Sequence, residues 1–408
     1  MKCRNCNSQM NISFADLGTS PPSNSYLRLD QLQIPELFYP LRVKVCDVCW
    51  LVQTEDFAKR EEFFTPDYAY FSSFSQTWLD HAEKYVSKMV KEFSLDSKSL
   101  VVEVASNDGY LLQFVHKMGI PCLGIEPTES TAEVATQKGI PTIREFFGAK
   151  LAVSLVRDNK QADLMAANNV LAHVPDVNDF LTGFYALLKD TGVATFEFPH
   201  LLNLVNKIEF DTIYHEHYSY LSLISVQNIF EKNGLEVFDV EELETHGGSL
   251  RVYAQKKNKG VRKITERTMA LVEKEKLAGV DQKQFYEGFQ EKVNVTKNNL
   301  LLFLLEAKSK GDLVVGYGAA AKGNTFLNYA GIRSDLVSFV VDKNPHKQNK
   351  FLPGSRIPIL EESVIRKNKP KYIIIFPWNL KNEVSNQLSY VREWGGKFVV
   401  AIPNLEIF

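Results

Sequence analysis

The stretch Leu100-Val-Val-Glu-Val-Ala-Ser-Asn-Asp-Gly109 decides the fold of this chain. Its first half is a short apolar run typical of a strand buried on both faces, and its second half is a tight turn of small and polar residues. A strand that leads through such a turn into a helix offers backbone N–H groups to a ligand. Of the glycines in a Gly-x-Gly-x-Gly pattern only Gly109 is present, so an ordinary strand-to-helix turn stays open as the alternative.

Further apolar runs of this kind follow along the chain, separated by helical patterns. They lie at residues 121–125, 163–166 and 193–198, and two later strands at residues 235–241 and 249–255 are joined by a Gly-Gly loop. Alternating strands and helices closed by a hairpin predict a Rossmann-like α/β domain. Glu126 ends the second strand, 23 residues after Glu103, where a carboxylate accepts the ribose hydroxyls of a nucleotide cofactor.

The alternation restarts after a helical segment, residues 263–310, that is broken near Gly279. Four more buried strands are predicted at residues 312–316, 337–341, 372–376 and 397–402. The first leads into Gly316-Tyr-Gly-Ala-Ala-Ala-Lys-Gly-Asn-Thr325, a Gly-x-Gly-x-x-Gly/Ala turn that places helix N–H groups against a phosphate or pyrophosphate. Lys322 adds positive charge, and Asp342 ends the next strand. The motif alone also permits an NAD-dependent dehydrogenase.

Four of the five cysteines form two Cys-x-x-Cys pairs in a short N-terminal segment rich in turn-forming residues. They are Cys3, Cys6, Cys46 and Cys49. Two such pairs wrap one zinc ion tetrahedrally, and four cysteine ligands leave no open position for catalysis. The sequence therefore predicts a structural zinc; unmetallated thiols are the alternative.

Tyr214-His-Glu-His217 places three groups able to move protons within four residues. The run lies beyond the predicted strand 193–198, and loops at the carboxyl ends of strands carry the sites of open α/β sheets. General acid–base chemistry is the favoured interpretation, and a metal site and a solvated polar loop are the alternatives. His173 follows another strand end and is expected to face the same pocket or to be a hydrogen-bonded core histidine.

Composition narrows the class of partner. The chain has 408 residues, of which 45% are hydrophobic and 24% charged, and its net charge is −2. The charges are nearly balanced, so the sequence has no excess of positive charge for binding nucleic acid or an anionic membrane. No apolar run is long enough for a membrane-spanning helix. The N-terminus lacks the apolar section of a signal peptide, so we expect a cytoplasmic protein.

Taken together, these features resemble the sugar C-methyltransferases that act on nucleotide-linked 4-keto-deoxysugars, exemplified by the antibiotic-sugar C-3 methyltransferases. The resemblance covers nearly the whole chain and rests on six motifs in a fixed order. These are the two cysteine pairs, Asp67-Tyr-Ala-Tyr-Phe-Ser-Ser73, Glu103-Val-Ala-Ser-Asn-Asp-Gly-Tyr-Leu-Leu112, Tyr214-His-Glu-His217, His246-Gly-Gly-Ser-Leu-Arg251 and Gly316-Tyr-Gly-Ala-Ala-Ala-Lys-Gly-Asn324.

The resemblance implies the roles of individual residues. His217 would be the base that removes the proton next to the ketone, Tyr214 and Glu216 would orient it or stabilise the enolate, and Tyr68 and His173 would line the pocket. The implied residues for S-adenosylmethionine, the methyl donor, are Glu103, Ala105, Ser106, Asn107, Gly109, Glu126 and Asn168. The implied substrate-binding residues are Ser249, Arg251, Tyr317, Gly318, Lys322, Asn324 and Asp342.

We therefore expect an α/β protein of three parts, with a nucleotide-diphosphate sugar as its substrate and methylation at C-3 of a 4-keto-6-deoxysugar. The parts are a zinc-binding domain over residues 1–70, a Rossmann-like class I S-adenosylmethionine-binding methyltransferase domain over 71–258, and a helical linker with a second Rossmann-like, nucleotide-sugar-binding domain over 259–408. An O- or N-methyltransferase is the nearest alternative, followed by an NAD-dependent oxidoreductase, which would leave the turn after Glu103 without a purpose. A monomer is compatible with the sequence.

Overall fold

The computed structural model describes residues 1–57 and 71–408, which form three β-sheets and the helices around them. The strands are β1 Ile12–Ser20, β2 Tyr39–Val45, β3 Val52–Thr54, β4 Val101–Val104, β5 Cys122–Ile125, β6 Thr142–Ile143, β7 Ala162–Asn168, β8 Leu188–Pro199, β9 Ser219–Tyr220, β10 Leu235–Leu243, β11 Ser249–Lys256, β12 Val314–Tyr317, β13 Val340–Val341, β14 Ile359–Leu360, β15 Tyr372–Ile375, β16 Lys397–Val400 and β17 Glu406–Ile407. The α-helices are α1 Gln76–Glu92, α2 Leu112–Lys117, α3 Glu129–Gln137, α4 Ala149–Arg157, α5 Val177–Leu187, α6 Leu201–Asn206, α7 Leu223–Lys232, α8 Glu266–Ala278, α9 Phe289–Ser309, α10 Ala321–Ala330, α11 Val364–Asn368 and α12 Lys381–Gln387.

The middle sheet has seven strands in the order β10-β11-β8-β7-β4-β5-β6. Strands β4 to β8 run parallel, while β11 pairs antiparallel with both β8 and β10. The turn of the β10–β11 hairpin contains Gly247 and Gly248, whose φ angles of +94° and +126° favour glycine. This arrangement confirms the predicted Rossmann-like methyltransferase fold closed by a hairpin.

The C-terminal sheet has six strands in the order β14-β13-β12-β15-β16-β17, and only β17 is antiparallel to its neighbour. It confirms the second Rossmann-like unit. The sequence did not predict β14 and β17, each of two residues, because neither lies in a longer apolar run such as the one that contains β13. The helical segment before the sheet is divided as predicted: α8 ends at Gly279, whose φ is +85°.

The N-terminal segment is more regular than its composition indicates. It forms a four-stranded antiparallel sheet in the order β1-β2-β3-β9. The register of β1 shifts twice, between Ser13 and Ala15 and between Asp16 and Thr19, and these irregularities destroy the two-residue alternation by which a strand is recognised. Strand β9 comes directly after Tyr214–His217, so this motif is tied to the N-terminal sheet.

The N-terminal part packs against both α/β units. Cys3, Met10 and Leu51 are buried in the core of the methyltransferase sheet. On the other side, Phe14 stacks on Phe289 of α9 with ring centroids 4.3 Å apart, in a core shared with the C-terminal sheet. The N-terminal part therefore shares a hydrophobic core with each of the two larger units.

Helix α1 shows how local sequence produces the predicted elements. The Ser75 hydroxyl accepts a hydrogen bond from the Trp78 N–H at 3.3 Å and caps the helix. Trp78, Ala82, Tyr85 and Met89 are buried at helical spacing. None of the helices within residues 1–57 and 71–408 combines the length and apolar character that crossing a bilayer requires.

Candidate active site

The four N-terminal cysteines form one compact sulfur cluster. Their Sγ atoms all lie within 4.8 Å of one another, with 3.5 Å between Cys3 and Cys49 and 3.4 Å between Cys6 and Cys46. Zinc bonded tetrahedrally at about 2.3 Å places its sulfur ligands close to this separation. Each pair sits on a closed turn, in which the Asn7 and Trp50 N–H groups donate to the carbonyls of Cys3 and Cys46. The donor set fits a structural zinc ion.

The turn after β4 is held open by unusual backbone angles. Ala105, Asn107 and Gly109 all have positive φ, of 54°, 50° and 74°. A Cβ atom on Gly109 would lie 2.3 Å from the Ile140 side chain, so this glycine is required by space as well as by its backbone angle. Ser106 is fully buried and packs against Gly124 of the neighbouring strand β5.

Two carboxylates and an amide surround this turn. The Glu126 carboxylate accepts from the Asn107 N–H at 2.9 Å and the Thr128 N–H at 2.9 Å, which links the turn to the end of β5. The side chains of Glu103 and Asn168 are buried, and within the described residues no hydrogen-bond partner reaches the Oδ1 atom of Asn168. Burial raises the pKa of Glu103 well above its ordinary value, and its interaction with the Tyr110 hydroxyl partly opposes this. Acceptor atoms with free capacity beside this turn fit a ligand that brings donors, as the ammonium group of S-adenosylmethionine does.

The Tyr214–His217 motif forms a turn whose members face different directions. The His217 N–H donates to the Tyr214 carbonyl at 2.9 Å, and the two rings lie 3.9 Å apart between centroids. The imidazole of His173 lies against His217 at 4.6 Å between centroids. These three side chains keep part of their surface accessible, while Asp211, His215 and Glu216 are buried.

The tautomer and charge of His217 follow from its contacts. Its Nδ1–H donates to the Thr212 carbonyl at 2.8 Å, which leaves the lone pair of the neutral ring on Nε2. Burial, together with His173, holds the pKa of His217 well below its ordinary value. Burial also lowers the pKa of His173 to about 4, and its Nδ1–H donates to the Glu216 carbonyl at 2.9 Å. Both rings are neutral at physiological pH.

The other two side chains of the motif face the N-terminal part. The His215 Nε2–H lies 3.2 Å from the Pro40 carbonyl and 3.3 Å from the Tyr39 carbonyl. Both carboxylate oxygens of Glu216 accept from the Asn24 amide at 2.9 Å. Burial raises the pKa of Glu216 to about 7, while the Asn24 amide favours the ionised form.

A buried charge cluster joins the motif to the C-terminal unit. Lys322, in the first turn of α10, has its Nζ 4.3 Å from the Trp378 ring centroid, and the Trp378 indole donates to Asp211 at 2.8 Å. Burial raises the pKa of Asp211 to about 6 and that of Glu209 to about 8, and the Lys322 charge lowers both. The predicted substrate residue Lys322 therefore lies near the carboxylates that precede Tyr214–His217 in the chain.

Hydrogen bonds within the protein support the glycine-rich turn of the C-terminal unit. Asp342 accepts from the Ala319 N–H and the Asn344 N–H, both at 2.8 Å. The buried Asn324 amide donates to the Ser23 carbonyl at 2.6 Å, and the Tyr317 hydroxyl accepts from Gln387 at 3.0 Å. Gly318 has a φ of +88°, and a Cβ there would lie 2.6 Å from Pro377.

The remaining predicted substrate residues lie in the methyltransferase sheet. Arg251 is buried and donates to Glu197 at 2.9 Å and to Glu241 at 3.3 Å. The Ser249 hydroxyl donates to the Thr245 carbonyl at 3.0 Å. Both side chains thus have partners within the protein, and their contact with substrate stays a prediction.

Tyr68 lies outside the described residues. In the same motif, the N–H groups of Ser72 and Ser73 donate to the turn after β4, to Asn107 at 2.9 Å and Asp108 at 3.2 Å.

The structure adds site residues that sequence reasoning missed. His246 accepts from the Asn169 amide at 3.3 Å, packs against Trp78 at 5.3 Å between centroids, and has its pKa lowered to about 4 by burial and the Lys322 charge. Glu197, near the end of β8, bonds His81 at 3.0 Å. The sequence could have indicated both residues: Glu197 lies near the carboxyl end of a predicted strand, and His246 lies in the loop of the predicted hairpin.

Three family models divide the chain. Residues 3–64 match a family described as "Putative zinc binding domain", residues 78–240 one described as "Methyltransferase domain", and residues 244–403 one described as "C-methyltransferase C-terminal domain". The C-methyltransferase NovU of Streptomyces niveus is 31% identical over 402 residues, which are 98% of this chain and 95% of NovU.

Solved structures match part of the chain at low similarity. Magnesium protoporphyrin IX methyltransferase from Synechocystis PCC 6803, with bound S-adenosylmethionine, matches 44% of this chain and 79% of its own at 14% identity and a TM-score of 0.34. A SAM-dependent methyltransferase from Archaeoglobus fulgidus matches 44% of this chain and 94% of its own at 13% identity and a TM-score of 0.36. Similarity this low supports no inference about the chemistry of this chain.

The sheets, the sulfur cluster and the family matches define a methyltransferase with an N-terminal zinc-binding domain. The chain belongs to the C-methyltransferase family that includes NovU. The predicted family, the methyltransferase activity, and zinc and S-adenosylmethionine as cofactors are confirmed at this level. The roles of individual residues stay predictions.

Proposed function

We propose that this enzyme transfers the methyl group of S-adenosylmethionine to C-3 of a nucleotide-linked 4-keto-6-deoxysugar. One observation carries the proposal: the neutral imidazole of His217, with its Nδ1–H engaged by Thr212, sits beside Tyr214 and His173 on the open side of an otherwise buried turn. A group of this kind accepts a proton from carbon when a neighbouring carbonyl takes up the charge.

The chain's own residues supply the acid–base chemistry. The Nε2 atom of His217 takes the proton from the carbon beside the ketone. The electron pair of the broken C–H bond then moves toward the ketone oxygen and forms an enolate. The Thr212 carbonyl stabilises the resulting imidazolium through the Nδ1–H. Tyr214 and the positive charge of Lys322 would stabilise the enolate, because an oxyanion requires donors that are already in position.

The donor pocket lies at the turn after β4. When bound there, S-adenosylmethionine supplies a methyl group on a positively charged sulfur, which the carbanion attacks. Glu103 and Asn168 have the free acceptor atoms to hold its ammonium group, and Glu126 supports the turn that would contact its ribose. One proton is released per methyl transferred, and His217 must pass it to solvent before the next turnover.

The substrate's nucleotide diphosphate would bind the glycine-rich turn of the C-terminal unit, at Tyr317, Gly318, Lys322 and Asn324, with Asp342 behind the turn. The NAD alternative is weaker here, because it would leave the turn after β4 without a purpose. An O- or N-methyltransferase would have little use for two neutral histidines, His173 and His217, beside Tyr214. Four thiolate ligands fit a reducing compartment, and we place the enzyme in the cytoplasm.

The test is product analysis with defined substrates. Purified enzyme is incubated with S-adenosylmethionine and nucleotide-linked 4-keto-6-deoxysugars, and the product is examined by mass spectrometry and NMR. We expect a mass gain of one methylene group with the new methyl on C-3. In heavy water with S-adenosylhomocysteine present, the hydrogen at C-3 should exchange for deuterium. A methyl group found on oxygen or nitrogen, without exchange at carbon, would contradict the proposal.

A further inference from the structure

Asn24 belongs to the loop between β1 and β2, far in sequence from the catalytic motif. Its Nδ2 atom lies 2.9 Å from both Oε1 and Oε2 of Glu216. Glu216 is 1% exposed, and a carboxylate so enclosed depends on the few donors that reach it. Asn24 is thus a principal donor for the one acidic side chain of the catalytic motif.

The loop that carries Asn24 is held from the other side by the C-terminal unit. The Ser23 carbonyl accepts from the buried Asn324 amide at 2.6 Å, and the Tyr26 hydroxyl donates to the Ala319 carbonyl at 2.6 Å. Both partners belong to the glycine-rich turn and the start of α10. Asn24 therefore lies in a loop that contacts the glycine-rich turn on one side and the Tyr214–His217 motif on the other.

Residue 216 in turn orients the histidines. Its carbonyl accepts the Nδ1–H of His173 at 2.9 Å, and the next residue is His217. A shift of Glu216 would therefore move the group that orients His173 and the backbone that carries His217. Asn24 is thus connected to these rings through the side chain of Glu216 and through the peptide between Glu216 and His217.

We infer that Asn24 is a positioning residue that holds Glu216, and through it His173 and His217, in the geometry needed for proton abstraction. This inference rests on the proposed function, since it assigns Asn24 to the same reaction. Asn24 forms its hydrogen bonds with Glu216 and with the Tyr26 hydroxyl, so its effect on the predicted base is indirect.

The first variant removes the amide. Asn24→Ala leaves the Glu216 carboxylate without this donor, and we expect kcat to fall about tenfold to a hundredfold, the range associated with an unsatisfied buried polar group. The KM values for sugar nucleotide and S-adenosylmethionine should change by less than about twofold, because the residues assigned to both ligands are untouched. Zinc content and melting temperature establish that the variant is folded.

The second variant makes the role visible in the pH profile. In Asn24→Asp two carboxyl groups share one buried site, so below the pKa of the pair one proton is retained and a carboxyl donates in place of the amide. Above that pKa both groups are ionised and repel. The other titratable groups near Glu216 are Lys347, Tyr26, His173, His215 and His217, and all of them are present in both proteins.

We therefore expect the ratio of variant to wild-type kcat to approach one near pH 5.5 and to fall below about one tenth at pH 8. Asn233→Asp is the matched control: its amide donates to Asn178 at 2.9 Å and the Ile229 carbonyl at 2.8 Å, so the same change meets no carboxylate. Its activity ratio should not depend on pH.

The outcomes separate two failures. Wild-type protein that leaves every 4-keto sugar nucleotide unmethylated and unexchanged contradicts the proposed function. Wild-type turnover combined with full activity of Asn24→Ala, or with an Asn24→Asp profile parallel to the wild type, overturns the inference and leaves the proposed function standing.

Discussion

Replacing His217 by asparagine tests the centre of the reaction. The amide Nδ2 of the new side chain can take over the donation from Nδ1 to the Thr212 carbonyl, so the turn should keep its shape while the basic Nε2 is lost. Because the pKa of His217 is held well below its ordinary value, the ring is fully available as a base at pH 7, and its removal should have its full effect there.

Loss of a general base lowers turnover by about a hundredfold to ten-thousandfold, which corresponds to about 3–5.5 kcal/mol of activation free energy. The assay follows kcat for methyl transfer and, separately, deuterium exchange at the sugar carbon in the presence of S-adenosylhomocysteine. Both should fall together, while the dissociation constant for S-adenosylmethionine, measured by calorimetry, should stay within about twofold because its predicted contacts lie at the turn after β4.

His215→Asn is the control for this experiment. His215 lies against the Tyr39 and Pro40 carbonyls on the opposite side of the turn, so its loss should reduce stability modestly and leave most of the turnover. If His215→Asn abolished activity and His217→Asn did not, the assignment of the base would be wrong. If neither affected exchange or transfer, deprotonation at carbon would have to be abandoned in favour of O-methylation.

Three further predictions follow from the geometry. Elemental analysis should find one zinc per chain, and its removal by a strong chelator should lower the melting temperature, because the sulfur cluster is part of the core of the methyltransferase sheet; zinc-free protein of normal stability would contradict this. Lys322→Ala should raise the sugar-nucleotide KM and also reduce stability by about 1–3 kcal/mol in chemical denaturation, since the carboxylates of Asp211 and Glu209 lose their neighbouring cation; an unchanged KM would remove Lys322 from the substrate site. Glu103→Gln should weaken S-adenosylmethionine binding about tenfold in calorimetry without destabilising the ligand-free protein, because burial already disfavours the charged carboxylate and the Gln amide can keep the contact with the Tyr110 hydroxyl; equal affinity would argue against its role.

The pKa values set an acid limit for the reaction. His173 has its pKa lowered to about 4 and His217 lies well below its ordinary value, so neutral rings persist to lower pH than for exposed histidines. At these histidines the unfolded chain binds protons near pH 6.5 and the folded chain does not, so they lower stability as the pH drops from about 6.5 toward 4, whereas the raised pKa values of Asp211, Glu209 and Glu216 act in the opposite direction. The wild type should therefore lose more stability over this range than His217→Asn. Thermal melting over this range provides the measurement.

The sequence alone determined the elements with strong local patterns. The apolar runs at β4, β5 and β12, the capped helix α1 and the glycine at the end of α8 are each set by residues close together in the chain, and the structure agrees with them. The zinc cluster was equally accessible, because two Cys-x-x-Cys turns can satisfy a tetrahedral ion in few ways. The two-residue strands and the bulged β1 left no such pattern.

The tertiary structure decided the surroundings of the catalytic motif. On an extended chain His215 and His217 would share a face, being two residues apart, but the turn from Tyr214 to His217 directs them to opposite sides. Lys322 was expected at a pyrophosphate, and only the packing of the C-terminal unit shows it beside Trp378 and the buried carboxylates.

Asn24 and Glu216 illustrate the limit of sequence reasoning most clearly. They are 192 residues apart, and nothing in either local sequence connects them. Local propensity and periodicity act over a few residues, whereas this contact exists because the N-terminal part packs between two α/β units and brings a loop amide to a buried carboxylate. The sequence by itself determined which chemistry the chain carries, and the packing of its three parts determined which groups hold that chemistry in place.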